Sequence, residues 1–143
     1  MKAIFLGDSI TEGVGASSEA NKYVNKVAEI CGVEVKNFGV SGTRIARQSL
    51  PSEYILFDYD FQMRAEVMDK DADKVFVFGG TNDYGHGDAK IGDENDDSPY
   101  TFNGGLNNLM KRLIGTYGKD KICFILPIRR FLEEDLFGQG HRK

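Results

Sequence analysis

Residues 73–80 read DKVFVFGG: after Asp73 and Lys74, four apolar residues run unbroken from Val75 to Phe78 and stop at two glycines. A short, continuous apolar run closed by glycine describes a strand buried on both faces, the kind found in a parallel sheet covered by helices. Three other stretches read as strands: KAIFLG (2–7), VEVKNFG (33–39) and KICFILPI (121–128), the last closed by Pro127.

Helical patterns separate these runs. In EANKYVNKVAEICG (19–32), Tyr23, Val24, Val27, Ala28 and Cys31 recur at helical spacing, and Gly32 is placed to end the helix. DYDFQMRAEVMD (58–69) predicts a second helix with a noisier period. TFNGGLNNLMKRLIGTYG (101–118) carries Leu106, Leu109, Met110, Leu113, Ile114 and Tyr117 on one face, with Thr101 or Asn103 to cap its start and Gly118 its end. The order β-α-β-α-β-α-β predicts an open, doubly wound α/β sandwich.

At 143 residues the chain is expected to be a single domain. A net charge of −4, with Lys and Arg scattered apart from Arg129-Arg130, argues against nucleic acid as a partner. No run approaches the roughly 18 apolar residues of a membrane span. Ala3 to Leu6 is too short for a secretory signal, so the expected compartment is the cytoplasm. Cys31 and Cys123 are expected to be buried free thiols, and no Cys/His spacing suggests zinc.

In doubly wound sheets the ligand site lies in loops beyond the C-terminal strand ends. Here those loops are GDSITEGVGASS, NFGVSGTR, GGTNDYGHGD and IRRFLEED. Ser9 follows the first strand, where an exposed hydroxyl is a candidate nucleophile. Gly42 could offer a bare backbone N–H after the second strand, and Asn82 a side-chain amide after the third. Donors converging on one point make an oxyanion hole. Singly, each residue also reads as an ordinary turn residue or cap.

Together, GDSIT, NFGVSGT and GGTND resemble three motif blocks of the SGNH (GDSL-type) hydrolases, and GGTNDYGHGD is similar to a bacterial subgroup of GDSL-like lipases and acylhydrolases. The resemblance spans residues 1 to about 130. It implies a flavodoxin-like three-layer α/β/α sandwich with Ser9 as nucleophile. The Ser9 and Gly42 N–H groups and the Asn82 amide would bind the oxyanion. The implied substrate is a small ester (an acetylated sugar, a short acyl ester or a lipid), with no cofactor and no metal.

No D-x-x-H block, which in the family supplies the general base and its orienting Asp, stands near the C-terminus of this sequence. The expectation is a domain over 1–143 that is C-terminally incomplete, lacking its last strand and helix, roughly sixty residues by domain-size priors. The fourth strand would then present an edge on which two chains could pair as a homodimer. The truncated chain is expected to be inactive or weak, since serine needs an adjacent base. The alternative is a non-catalytic binding or interaction remnant of a hydrolase.

His86, Asp83 and Arg44 are further candidates for substrate contact or a surrogate base. For His86 the competing reading is loop hydrogen bonding, for Asp83 loop shaping, and for Arg44 a surface ion pair. Asp8 is also read as a loop-shaping residue. His141, six positions after Asp135, falls in a tail-like stretch. GDENDDSP (92–99) reads as a solvated acidic loop rather than a calcium site. GDSITEGVG lacks the features of a nucleotide cradle. Phe57, Tyr59 and Phe61 are read as an acyl-binding wall or as core.

Overall fold

The computed structural model describes residues 1–127. Four strands, β1 (Lys2–Gly7), β2 (Glu34–Gly39), β3 (Lys74–Phe78) and β4 (Ile122–Ile125), form one parallel sheet in the order β2-β1-β3-β4. The helices are α1 (Ser9–Glu12), α2 (Tyr23–Cys31), α3 (Phe61–Val67), α4 (Thr81–His86) and α5 (Phe102–Tyr117).

Alternation along the strands sends side chains to two cores. Ile4, Leu6, Val75 and Val77 meet Phe61 and Ala65 of α3 and Leu109, Leu113 and Tyr117 of α5. On the opposite face Ala3 and Phe5 pack with Val24 of α2, bordered by Tyr23, Val27, Val35 and Phe76. This is the expected three-layer α/β/α sandwich with a flavodoxin-like parallel sheet. The second core is the smaller, so Phe76 and Phe78 are half-buried while Val75 and Val77 are fully buried. Burial on both faces therefore holds for β1 and only in part for β3.

Caps explain where the helices begin and end. Thr101 accepts a hydrogen bond from Gly104 N, and Asp60 accepts from Met63 N at 2.8 Å, satisfying first-turn donors. Gly32 ends α2 at a φ of 62°, a left-handed conformation that favours glycine. The helix expected over 58–69 splits: a 3-10 turn covers Ile55–Asp58, and α3 starts after Asp60 takes the cap. Likewise a 3-10 turn, Glu19–Asn21, precedes the shorter α2. The acidic stretch 92–99 is tied down by its own hydrogen bonds: Asp96 accepts from Ser98 N and Thr101 Oγ1, and Asn107 donates to the Glu94 and Asp96 carbonyls.

Both cysteines are exposed, against expectation. Cys31 sits at the C-terminal end of α2, where the helix face turns to solvent, and β4 leaves Cys123 exposed. Among the described residues β2 is one edge of the sheet and β4 the other. No observation supports a homodimer through that edge. No described helix is long and apolar enough to cross a membrane.

Candidate active site

Strand register brings the three motif loops together. Gly7, the last residue of β1, pairs with Gly39 of β2 on one side and Phe78 of β3 on the other. Ser9, Gly42 and Asn82 follow those three strand ends within a few residues. Because β1 lies between β2 and β3, the Ser9 loop is flanked by the other two.

Ser9 opens α1, so its N–H is a first-turn donor with no partner inside the helix. Asp8 caps that turn by accepting from Ile10 N at 3.0 Å. Its carboxylate is buried, and burial pushes its pKa up while the Arg64 charge opposes the shift. Asp8 therefore shapes the loop, as expected.

Gly42 occupies a left-handed turn at φ 74°. A Cβ there would stand 2.3 Å from Cδ1 of Phe57, so the ring lies directly over the glycine. Among the described residues the Gly42 N–H has no hydrogen-bond acceptor. Glu12 anchors the preceding residue to α1: its Oε2 accepts from Ser41 N at 2.7 Å and also from the Ser41 hydroxyl. The loop that carries Gly42 is thereby tied to the helix that carries Ser9.

Asn82 completes the set from α4, which the sequence reading treated as loop. Its Nδ2 donates to the Thr43 carbonyl at 2.9 Å, next to Gly42, and its Oδ1 lies 3.1 Å from His86 Nε2. An amide nitrogen carries two hydrogens, so one Nδ2–H remains after Thr43 is served. Asp83 turns the other way: its two oxygens accept from Ile45 N and Ala46 N, each at 2.9 Å. Burial raises its pKa, and these backbone hydrogen bonds oppose the shift.

Arg44 is not part of a surface ion pair. It is 4 % exposed, donates to Gln48 Oε1, the His86 carbonyl and Ser52 Oγ, and stands 4.0 Å from Asp58. Its three partners span residues 48 to 86, so it braces the loop after Gly42 against the end of α4. The aromatic trio divides: Phe61 is core, Tyr59 is exposed, and Phe57 covers Gly42.

Arg64 is the participant that the sequence reading missed. From α3 it donates to the carbonyls of Gly7 at 2.9 Å, Tyr59 at 3.0 Å and Phe38, and to Thr43 Oγ1 at 2.7 Å. Its guanidinium lies 4.6 Å from the centre of the Phe61 ring, and burial lowers its pKa to about 10. One side chain thus ties the ends of β1 and β2 to the Gly42 loop. A signal was available: Arg64 interrupts the apolar face formed by Phe61, Ala65 and Met68.

The GDSL-like Lipase/Acylhydrolase family model matches residues 5–138, which takes in all three loops. The chain belongs to that family. No curated protein matches this GDSL-like chain. Among solved structures it is similar to a protein from Lactobacillus plantarum, with 32% identity and a TM-score of 0.73, over 89% of this chain and 56% of that one. The GDSL-like chain therefore spans little more than half the length of that relative. A protein described as a GDSL-like lipase from Bacteroides ovatus aligns at 22% identity and a TM-score of 0.68, over 88% of this chain and 72% of that chain. A family two carbohydrate esterase from Clostridium thermocellum, in complex with cellohexaose, aligns at 19% identity and 0.58, over 98% and 45%. Below 25% identity these likenesses speak to the fold alone.

In this GDSL-like domain His86 is the one histidine among the described residues, and His141 and Asp135 lie outside them. The opposite face of α4 borders a mainly apolar cavity of about 240 Å³, lined by Gly80, Tyr84, Ala89, Ile91 and Phe102 together with Asp83 and Asn103.

Proposed function

We propose that this GDSL-like chain carries the nucleophile and oxyanion-binding part of a carboxylic-ester hydrolase. In this reading Ser9 Oγ attacks the ester carbonyl carbon while its proton passes to a base. The tetrahedral oxyanion takes hydrogen bonds from the Ser9 and Gly42 N–H groups and from Asn82 Nδ2. When it collapses, the bond to the alcohol oxygen breaks, the protonated alcohol leaves, and the acyl group stays on Ser9 until water removes it.

The observation that carries the reading is the Asn82 amide held beside Gly42 by the Thr43 carbonyl, with one Nδ2–H left over. The substrate class is a small ester: an acetylated sugar, a short acyl ester or a lipid. Acetylated sugars are the first to try, since a fold neighbour is a carbohydrate esterase. Incubation with a fluorophosphonate is expected to add one phosphonyl group to Ser9 and none to Ser9→Ala. Asn82→Ala should slow that labelling by about 10²–10³, the usual cost of one oxyanion donor. A wild-type chain that takes no label would sink the assignment.

A second reading is favoured by the position of His86, whose Nε2 faces Asn82 Oδ1 rather than a serine hydroxyl. On that reading the chain keeps the pocket without a base and binds esters without cleaving them. Aryl-acetate turnover separates the two: measurable turnover that Ser9→Ala abolishes supports the hydrolase, and binding without turnover supports the remnant.

A further inference from the structure

We infer that His86 is a positioning residue for the oxyanion amide, donating from Nε2–H to Asn82 Oδ1. This deepens the proposed ester-hydrolase reading and rests on it. The chemistry of the partners dictates the direction of each bond. The Thr43 carbonyl can only accept, so Asn82 must turn its NH2 group toward it at 2.9 Å. That places Oδ1, which also can only accept, 3.1 Å from His86 Nε2. The imidazole must therefore carry a proton on Nε2.

Among the described residues three features hold His86 in place. Asn82 and His86 lie one turn apart on α4, the spacing at which side chains on one face of a helix meet. Phe57 packs against the imidazole with ring centroids 6.2 Å apart, and the same ring covers Gly42. The His86 carbonyl accepts from Arg44 Nη1 at 3.2 Å, which pins the end of the helix. The amide is thus gripped at both ends, with its second Nδ2–H aimed by the two bonds rather than free to rotate. Hydrogen bonding at Oδ1 also polarises the amide, so that N–H is a better donor to a developing oxyanion. A base would need an unprotonated nitrogen facing Ser9; the positioning role needs the opposite, a protonated Nε2 facing Asn82.

Long-range proton–nitrogen NMR on the whole chain reads the tautomer directly. With two histidines in the sequence, a His141→Gln variant assigns the signals. The expected result is an Nε2–H tautomer for His86 that becomes mixed in Asn82→Ala. Fluorophosphonate labelling of Ser9 reads the consequence. His86→Ala should lower the limiting rate about ten-fold, less than loss of the donor itself, with the half-saturating concentration little changed. His86→Gln, whose amide nitrogen reaches the place of Nε2, should recover most of that rate. An Nδ1–H tautomer, or His86→Ala labelling as fast as wild type, overturns the inference while leaving the hydrolase reading intact. A wild type that takes no label overturns the hydrolase reading, and the positioning role falls with it.

Discussion

Arg64 Nη1 donates to the carbonyl of Gly7 at 2.9 Å, so a helix on one face of the sheet holds the strand end two residues before Ser9. The same guanidinium serves Phe38, Tyr59 and Thr43. Arg64→Met keeps the volume and leaves four acceptors without their donor. It should cost about 3 kcal/mol or more, because buried polar groups are expensive to leave unpaired. Arg64→Lys, a point charge in place of a planar fork, should recover only part of that. Urea unfolding of both variants measures it, and a Met variant as stable as wild type would show that the clamp contributes nothing.

Gly42→Ala should destabilise the chain by about 1–3 kcal/mol through two separable causes. One is the left-handed φ of 74°. The other is contact with Phe57, 2.3 Å from the new Cβ. Pairing Gly42→Ala with Phe57→Ala should remove the contact and leave the backbone strain, so the double variant loses less than the two single losses added together. Strict additivity in a double-mutant cycle would contradict the packing.

Asp83 gives the stability a defined pH dependence. Burial raises its folded-state pKa above the ordinary carboxylate value, so on acidification the folded chain takes up this proton before the unfolded chain does. Its contribution therefore grows as pH falls through the raised value, is fully present below the unfolded value, and is lost as pH rises. Asp8 acts in the same direction for the same cause. The lowered carboxyls of Asp58 and Asp96 oppose this only at lower pH. Asp83→Asn should lose about 1 kcal/mol near neutral pH, since an NH2 group then faces a backbone N–H, and should lack the acid-side gain. Urea midpoints for both proteins in a series from neutral pH down to the ordinary carboxylate value test this; equal pH dependence across the series would refute it.

Cys31 and Cys123 should both react with a disulfide reagent in native buffer, as fast as in urea, because both are exposed. Protection of either thiol in the native chain would contradict the placement.

What the sequence by itself determined was the sandwich and its loop order. The apolar runs around Ile4 and Val75 and the periodicity of Leu109 and Leu113 are local signals, and burial needs nothing more to act on them. Gly32 and Thr101 likewise announced helix ends through their own backbone and side-chain preferences. The motif loops were legible because Ser9, Gly42 and Asn82 follow strand ends that a parallel sheet must align.

Only the tertiary structure decided what those loops touch. The six-residue α4 is too short to show a period, so Asn82 and His86 read as neighbours in a loop rather than as side chains one helical turn apart. The grip of Arg64 on Gly7, of Glu12 on Ser41 and of Asn82 on Thr43 joins residues far apart in the chain. The exposure of Cys31 and Cys123 depends on which helix and strand faces the neighbouring elements cover, which composition cannot fix. Hydrogen bonds between distant loops are chosen by how strands stack and not by any local preference. That is why the Ser9 loop could be read from a short motif, while the network that ties Asn82 to the Gly42 loop had to be seen in three dimensions.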